Sequence, residues 1–141
     1  MMRSVGIVCE YNPFHLGHAR QLEAVRRMAP EAAVVCLMSG FYVQRGQPAV
    51  FDRTVRTKAA LLAGADLVLE LPVTVSLRSA EGFAAGAVEL LSRLGVEGLC
   101  FGAETADREQ LLDTARVLLD SRLSEALRPY LDRGLSFPAA R

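Results

Sequence analysis

The chain has 141 residues, 51% of them hydrophobic and 23% charged, with 16 basic side chains balanced by 16 acidic ones. A chain of this size buries roughly two thirds of the surface its unfolded form exposes, enough for one globular domain without disulfides or a structural metal. Zero net charge argues against a strongly basic nucleic-acid clamp over the whole segment, and no run approaches the roughly 18 apolar residues of a membrane helix.

Met1-Met-Arg-Ser4 leads straight into a strand pattern rather than a signal peptide, so the protein is expected to be cytoplasmic and free of membrane partners. Ser4 to Cys9 is apolar and β-branched enough to be a strand. The chain then breaks at Asn12-Pro13, and Leu16, Ala19, Leu22, Val25 and Met28 form a helical stripe that ends before Pro30. Ala32 to Met38 is a continuous apolar run of strand length, as in a parallel sheet covered on both faces. After Ser39-Gly40 comes a loop, Phe41 to Phe51, that is long for a strand-to-helix connection and therefore a candidate functional segment.

Asp52 can cap a helix running to about Ala63, with Val55, Ala59 and Leu62 inward and Arg53, Arg56 and Lys58 left for solvent or ligand. Asp66 to Leu71 reads as a third strand stopped by Pro72. Ser76 or Ser79 then caps a long helix through Leu94, with Ala80, Phe83, Ala87, Leu90 and Leu94 as its apolar positions. Gly98 to Phe101 is a fourth strand, followed by a helix from about Asp107 to Asp120, a shorter one near Leu123 to Leu131, and an unsettled tail from Gly134 to Arg141. Strands alternating with helices read as right-handed crossovers, hence a Rossmann-like, doubly wound α/β domain with a parallel sheet. Ligands in such sheets sit outside the carboxyl ends of the strands, where strand order reverses.

Cys9, Cys36 and Cys100 each lie inside apolar runs without a Cys-x-x-Cys pair, which suits small buried residues better than a reactive thiol. Both histidines of the chain fall in His15-Leu16-Gly17-His18, at the first strand-to-helix turn. Zinc would want three or four protein ligands, and no third histidine exists. Two satisfied, buried histidines are the bland reading. A phosphate site is the chemical one: Gly17 lets a triphosphate approach the backbone, the following helix offers free N–H groups and its positive dipole end, and the imidazoles add directional donors for charge building on transferring and leaving oxygens. Neither a Gly-x-Gly-x-x-Gly fingerprint nor a P-loop is present. The pattern predicts a nucleotidyl-transfer site.

Gly6-Ile-Val-Cys-Glu-Tyr-Asn-Pro-Phe-His-Leu-Gly-His18 resembles the opening of the bacterial tRNA(Met) cytidine acetate ligases, within the His-x-Gly-His nucleotidyltransferase superfamily. Met38-Ser-Gly-Phe-Tyr-Val-Gln-Arg-Gly-Gln-Pro-Ala49, Arg56-Thr-Lys58, Gly64 through Pro72, Phe101-Gly-Ala-Glu104 and Gly134-Leu-Ser-Phe-Pro138 are similar to family motifs in the family order. The resemblance covers essentially the whole chain and implies that residues 1–141 are a nucleotidyltransferase-like ATP-binding domain, the N-terminal catalytic part of a longer ligase. It implies activation of acetate by ATP to acetyl-adenylate, release of pyrophosphate, and acetylation of the N4 amine of the wobble cytidine of elongator tRNA(Met). The alternatives are another adenylyltransferase of the superfamily or a nucleotide-binding fragment without turnover.

Carried over by position, the ATP site comprises Val8, Cys9, Glu10, Tyr11, Asn12, Pro13, Phe14, His15, Leu16, Gly17, His18, Ala19, Arg20 and Gln21, with Gly102 facing the nucleotide across the switch point. His15 and His18 are the catalytic pair, and Mg is expected to arrive with ATP on phosphates and water. Gln44, Arg45 and Lys58 are candidate contacts to substrate or tRNA. One departure is Phe41, which stands where the family usually has asparagine and reshapes the loop assigned to the acyl pocket.

Overall fold

The computed structural model describes residues 2–140. Strand β1 (Ser4–Cys9) leads into helix α1 (Leu16–Met28), then β2 (Ala33–Ser39), a single 3-10 turn (Gln44–Gly46), α2 (Arg53–Leu62) and β3 (Leu67–Leu71). A short turn of helix α3 (Val73–Ser76), the longer α4 (Ala80–Arg93) and the two-residue β4 (Gly98–Leu99) complete the sheet region. Helices α5 (Arg108–Leu119), α6 (Arg122–Asp132) and α7 (Phe137–Ala140) follow. The chain forms two compact units, the first ending at Gly102 and the second beginning at Ala103.

The four strands are parallel in the order β3-β2-β1-β4, which is the doubly wound sheet expected from the alternation of apolar runs and helices. Because β1 sits inside the sheet, the chain winds one way through β2 and β3 and then returns to place β4 on its other side. The carboxyl ends of β1 and β4 therefore diverge at the switch point, opening a crevice there. The register pairs Ser4 with Ala33 through Cys9 with Met38, and only Val5 and Gly6 with β4. A further backbone bond from Cys100 N to Gly6 O, 2.9 Å long, carries the β4 pairing one step on.

Two apolar layers explain why the strands are nearly continuous runs of hydrophobic residues. On one face Val5, Ile7, Val34, Cys36 and Met38 pack with Leu22 and Val25 of α1 and Ala60 of α2. On the other, Val35, Leu37 and Leu71 pack with Ala87 and Leu91 of α4. Gly6 lies under that second layer, where an added Cβ would come within 2.8 Å of a Leu91 methyl, so its small size is what lets α4 settle onto β1.

Several boundaries and faces differ from those the sequence suggests. β2 runs one residue later, through Ser39, and β4 is shorter than Gly98 to Phe101 because only Val5 and Gly6 pair with it. Ser79, not Ser76, caps the long helix, its Oγ accepting from Gly82 N at 3.3 Å. Ser76 is buried instead, its hydroxyl donating to the Tyr42 carbonyl at 2.8 Å and lying 3.1 Å from the Ser39 hydroxyl. In α4 the buried face is Gly86, Ala87 and Leu91, while Leu94 is exposed. Leu16 and Met28, at the ends of the α1 stripe, are exposed as well. The largest correction is in α2: Val55 and Leu62 face solvent, and Arg56, only 1% exposed, lies inward with Ala60. A guanidinium that finds carbonyl partners in the interior sets the phase of this helix, and an apolar-stripe count has no means of detecting it. The tail contains α7.

In the second unit, α5 is capped by Asp107, whose Oδ1 accepts from Glu109 N at 3.0 Å and Gln110 N at 3.1 Å. Leu127 of α6 is buried there.

Candidate nucleotide-binding site

The turn between β1 and α1 is shaped by Tyr11, Asn12 and Pro13. Tyr11 has a positive φ of 49°, a conformation L-residues adopt at a cost, and its ring is fully buried with the hydroxyl 3.4 Å from Cys36 Sγ. Asn12-Pro13 is a cis peptide. Asn12 Oδ1 accepts from Val50 N at 2.6 Å, and Glu10 Oε1 accepts from Gln44 N at 2.6 Å. Two side chains of the first turn thus hold the backbone of the Phe41–Phe51 loop.

The histidines are the cap of α1. His15 is the N-cap residue, and its Nδ1 accepts from Gly17 N at 3.1 Å; His18 Nδ1 accepts in return from His15 N at 3.3 Å. This is the reciprocal arrangement of a capping box, made by two imidazoles in place of a hydroxyl and a carboxylate. The rings stack with centroids 3.6 Å apart and planes 21° from parallel, and His18 also leans on Tyr11 and Phe14 at 4.8 and 5.6 Å. An imidazole whose Nδ1 accepts a hydrogen bond carries its proton on Nε2 when neutral. Each histidine therefore retains one outward-usable donor, Nε2–H. Burial, reinforced by the neighbouring His15, pushes the His18 imidazole below its usual range, so His18 favours the neutral, directional donor form.

Gly17 has a local reason that the sequence did not reveal. A Cβ there would lie 2.9 Å from His15 Cε1 and 3.0 Å from its Nδ1, closer than side chains ordinarily tolerate. The glycine makes room for the capping imidazole itself, in addition to any room for a ligand.

A groove of about 560 Å³ opens at the carboxyl ends of β1 and β4, lined by Val8, Cys9, Glu10, Tyr11, Asn12, Pro13, His15, His18, Gln21, Gln44, Phe83, Phe101 and Gly102. Of the residues picked from the sequence, Phe14, Leu16, Gly17, Ala19 and Arg20 are not among its lining. Phe14 packs against Tyr11 and His18 from behind, at 4.8 and 5.6 Å, and Leu16 and Arg20 are exposed. Arg45 and Lys58 are exposed and outside the groove, whereas Gln44 is on its wall. Phe83 and Phe101 are lining residues the sequence reading assigned to a helix stripe and a strand. Gln21 Nε2 reaches Cys100 Sγ at 3.8 Å, linking α1 to the end of β4 across the crevice.

Burial holds the Cys9 thiol and the Tyr11 hydroxyl well above their usual ranges, which keeps both protonated and argues against Cys9 as a thiolate nucleophile. Among the described residues no group of three His, Cys, Asp or Glu side chains converges to hold a metal ion. A smaller cavity of about 260 Å³ lies against α2, lined by Met38, Gly40, Arg53, Thr54, Thr57, Val68 and Glu70, and contains the Arg53–Glu70 ion pair.

A family model described as HIGH Nucleotidyl Transferase matches residues 2–141. The chain belongs to this family. As a HIGH nucleotidyl transferase it is 47% identical over 143 residues to the tRNA(Met) cytidine acetate ligase of Acetivibrio thermocellus, covering 99% of this chain and 34% of that protein. It is 44% identical over 143 residues to the ligase of the same name from Clostridium acetobutylicum, covering 99% and 36%. The chain thus spans about a third of the length of these curated relatives. Two crystal structures of Thermotoga maritima TmcAL, one bound with alpha-thio ATP and one apo, each superpose with a TM-score of 0.88 at 43% identity over 99% of this chain and 34% of theirs. The motif resemblance and the doubly wound fold are both borne out in this HIGH nucleotidyl transferase. No helix among the described residues is long and apolar enough to cross a membrane.

Proposed function

We propose that the groove between β1 and β4 binds ATP and that the chain forms the adenylate-making part of a tRNA(Met) cytidine acetate ligase. The observation that carries this reading is the pair of stacked imidazoles at the N-terminus of α1, each with Nδ1 accepting from the backbone, which leaves Nε2 as the donor. The triphosphate lies along the β1–α1 turn, where helix N–H groups, dipole and imidazole donors converge. A solved relative carrying an ATP analogue and the names of the curated relatives support ATP as the ligand.

An acetate oxygen attacks the α-phosphorus, the bond from that phosphorus to the oxygen bridging to the β-phosphate breaks, and pyrophosphate leaves as acetyl-adenylate forms. His15 and His18 donate to the phosphate oxygens on which charge accumulates, without covalent participation. The N4 amine of the wobble cytidine of elongator tRNA(Met) then takes the acetyl group, with loss of a proton and release of AMP. Mg²⁺ would be held mainly by the phosphates and water and would neutralise charge there; Glu10 is the carboxylate among the groove residues, and its Oε1 is engaged by Gln44 N. Phe83 and Phe101 offer apolar faces to the adenine. Gln44 contacts substrate, and Arg45 and Lys58 contact the tRNA backbone.

Acetate-dependent exchange of labelled pyrophosphate into ATP tests the reading. Exchange above that of a His18→Ala control supports it, and ATP binding that acetate leaves without exchange rules out adenylate formation by this chain. The second reading is nucleotide binding without turnover. Calorimetric ATP binding with no exchange would select it.

A further inference from the structure

Arg56 is the residue the fold treats least as expected. Its guanidinium sits in the interior and every hydrogen bond it makes is to a backbone carbonyl: Nε donates to Phe51 O at 3.0 Å, Nη1 to Glu10 O at 2.7 Å and Ser39 O at 2.9 Å, and Nη2 to Gly40 O. None of these partners is a carboxylate. A buried cation without a paired anion is costly unless its donors are fully used, and here the rigid fork reaches the chain just past β1, the end of β2 with the residue after it, and the segment entering α2. A lysine cannot reproduce that geometry, because its point ammonium has three donors and no plane.

The carbonyls it holds belong to the segments that make the groove wall. Glu10, whose carbonyl Arg56 grips, uses its carboxylate to hold Gln44 N; two residues on, Asn12 holds Val50 N. Phe51, whose carbonyl Arg56 also grips, follows Val50 directly. The Phe41–Phe51 loop is therefore fastened at Gln44 and Val50 by side chains of the β1–α1 turn, and the distance between turn and loop is set by one guanidinium beneath them. Arg56 itself does not line the groove.

We infer that Arg56 is a positioning residue for the nucleotide groove: by bridging the Glu10 and Phe51 carbonyls it holds the β1–α1 turn and the Phe41–Phe51 loop in the register that places Glu10, Asn12 and Gln44 on the groove wall. This deepens the proposed ATP-binding reading and rests on it for the ligand, although not for the geometry. A merely structural Arg56 would lower stability everywhere at once. A positioning Arg56 releases the loop ahead of the sheet.

The test compares Arg56→Lys with Leu91→Ala, which thins the core under α4, under conditions where circular dichroism shows both folded. Amide hydrogen exchange at Gln44 and Val50 is read against Val35 and Leu37 in β2, and ATP affinity is read by calorimetry. In Arg56→Lys the loop amides exchange about tenfold faster relative to β2, and ATP binds about tenfold more weakly, the scale of one charge-assisted hydrogen bond. In Leu91→Ala all four amides accelerate together and ATP affinity in the folded protein stays within about twofold. Loop and sheet accelerating together in Arg56→Lys, or unchanged ATP affinity there, overturns the inference.

A wild-type measurement decides the matter if Arg56→Lys does not fold. The Arg56 Nε–H is buried and bonded to Phe51 O, so it should give a protected resonance, which ATP should shift and protect further along with the Gln44 and Val50 amides. ATP that binds without affecting it overturns the inference. Failure of the wild type to bind ATP refutes the proposed function alone, since relative exchange of the loop and sheet amides in Arg56→Lys, or in the wild type under mild urea, still shows whether the loop opens as a separate unit or with the sheet.

Discussion

Gly17→Ala separates the structural from the chemical role of the first helical turn. Gly17 is the second residue of α1 and has an ordinary helical backbone, so alanine by itself would favour the helix, by at most about 1 kcal/mol. The added Cβ, however, would stand 2.9 Å from His15 Cε1 and 3.0 Å from Nδ1. His15 is exposed and can swing away, but only by giving up the 3.1 Å bond from Gly17 N and the 3.6 Å stack on His18. Losing an N-cap acceptor costs about 1 kcal/mol, so the two effects nearly cancel in stability. The donor geometry does not recover. One hydrogen bond to a charged phosphate, worth about 1.5–3 kcal/mol, is about 10- to 100-fold in affinity. Urea unfolding should therefore show a change within about 1 kcal/mol, while calorimetric titration with ATP shows that large loss. Wild-type ATP affinity in a Gly17→Ala protein of unchanged stability would refute the claim that the glycine exists to seat His15.

Acid should destabilise the fold through His18. Its imidazole is held below the usual range by burial and by His15, while the unfolded chain takes its proton near about pH 6.5, so below that pH the unfolded state binds more protons and stability falls. The urea midpoint should drop between pH 7.5 and 5.5 in the wild type and drop less in His18→Gln, which keeps a capping-box side chain at the same helical position. Phe101→Ala, at an exposed groove residue, should leave the thermal midpoint unchanged and weaken ATP binding about tenfold, as expected for loss of one base-stacking ring. Asp107→Ala removes the acceptor of Glu109 N and Gln110 N and should cost α5 about 1 kcal/mol, seen as faster exchange of the first-turn amides of α5 with those of β1 unaffected.

Strands and helix starts were legible because their causes are local. Apolar runs covered on both faces mark β1, β2 and β3, while Asp52, Ser79 and Asp107 mark helix starts with side chains that cap in the ordinary way. Helix faces were less legible. The α2 stripe of Val55, Ala59 and Leu62 is a sound period count, yet a guanidinium satisfied by four carbonyls from three segments outweighs two exposed apolar side chains. No window of neighbouring residues contains those partners. Phe83 and Phe101 were hidden for the same reason, since the groove that makes them neighbours exists only once β4 has paired with β1. The capping role of the two histidines was not legible, because histidine is not a usual capping residue.

That last gap bears on why the motif has its spacing. An N-cap residue and the third residue of the helix are the two positions a capping box joins, and they are three apart, as His15 and His18 are. A serine and a glutamate would cap the same turn by the usual arrangement. Serine, however, has a single oxygen for both tasks, so its donor stays at the helix end, and a glutamate at position 18 would set a negative charge where phosphates are proposed to lie. Imidazole meets both demands because it has two ring nitrogens: Nδ1 satisfies the helix end, and Nε2 remains a donor facing away from it. The stack between the rings and the glycine between the residues then follow from packing two such caps into one turn. The three-residue spacing is thus explained by helix geometry before any ligand is considered, and the proposed phosphate ligand would explain why the caps are histidines.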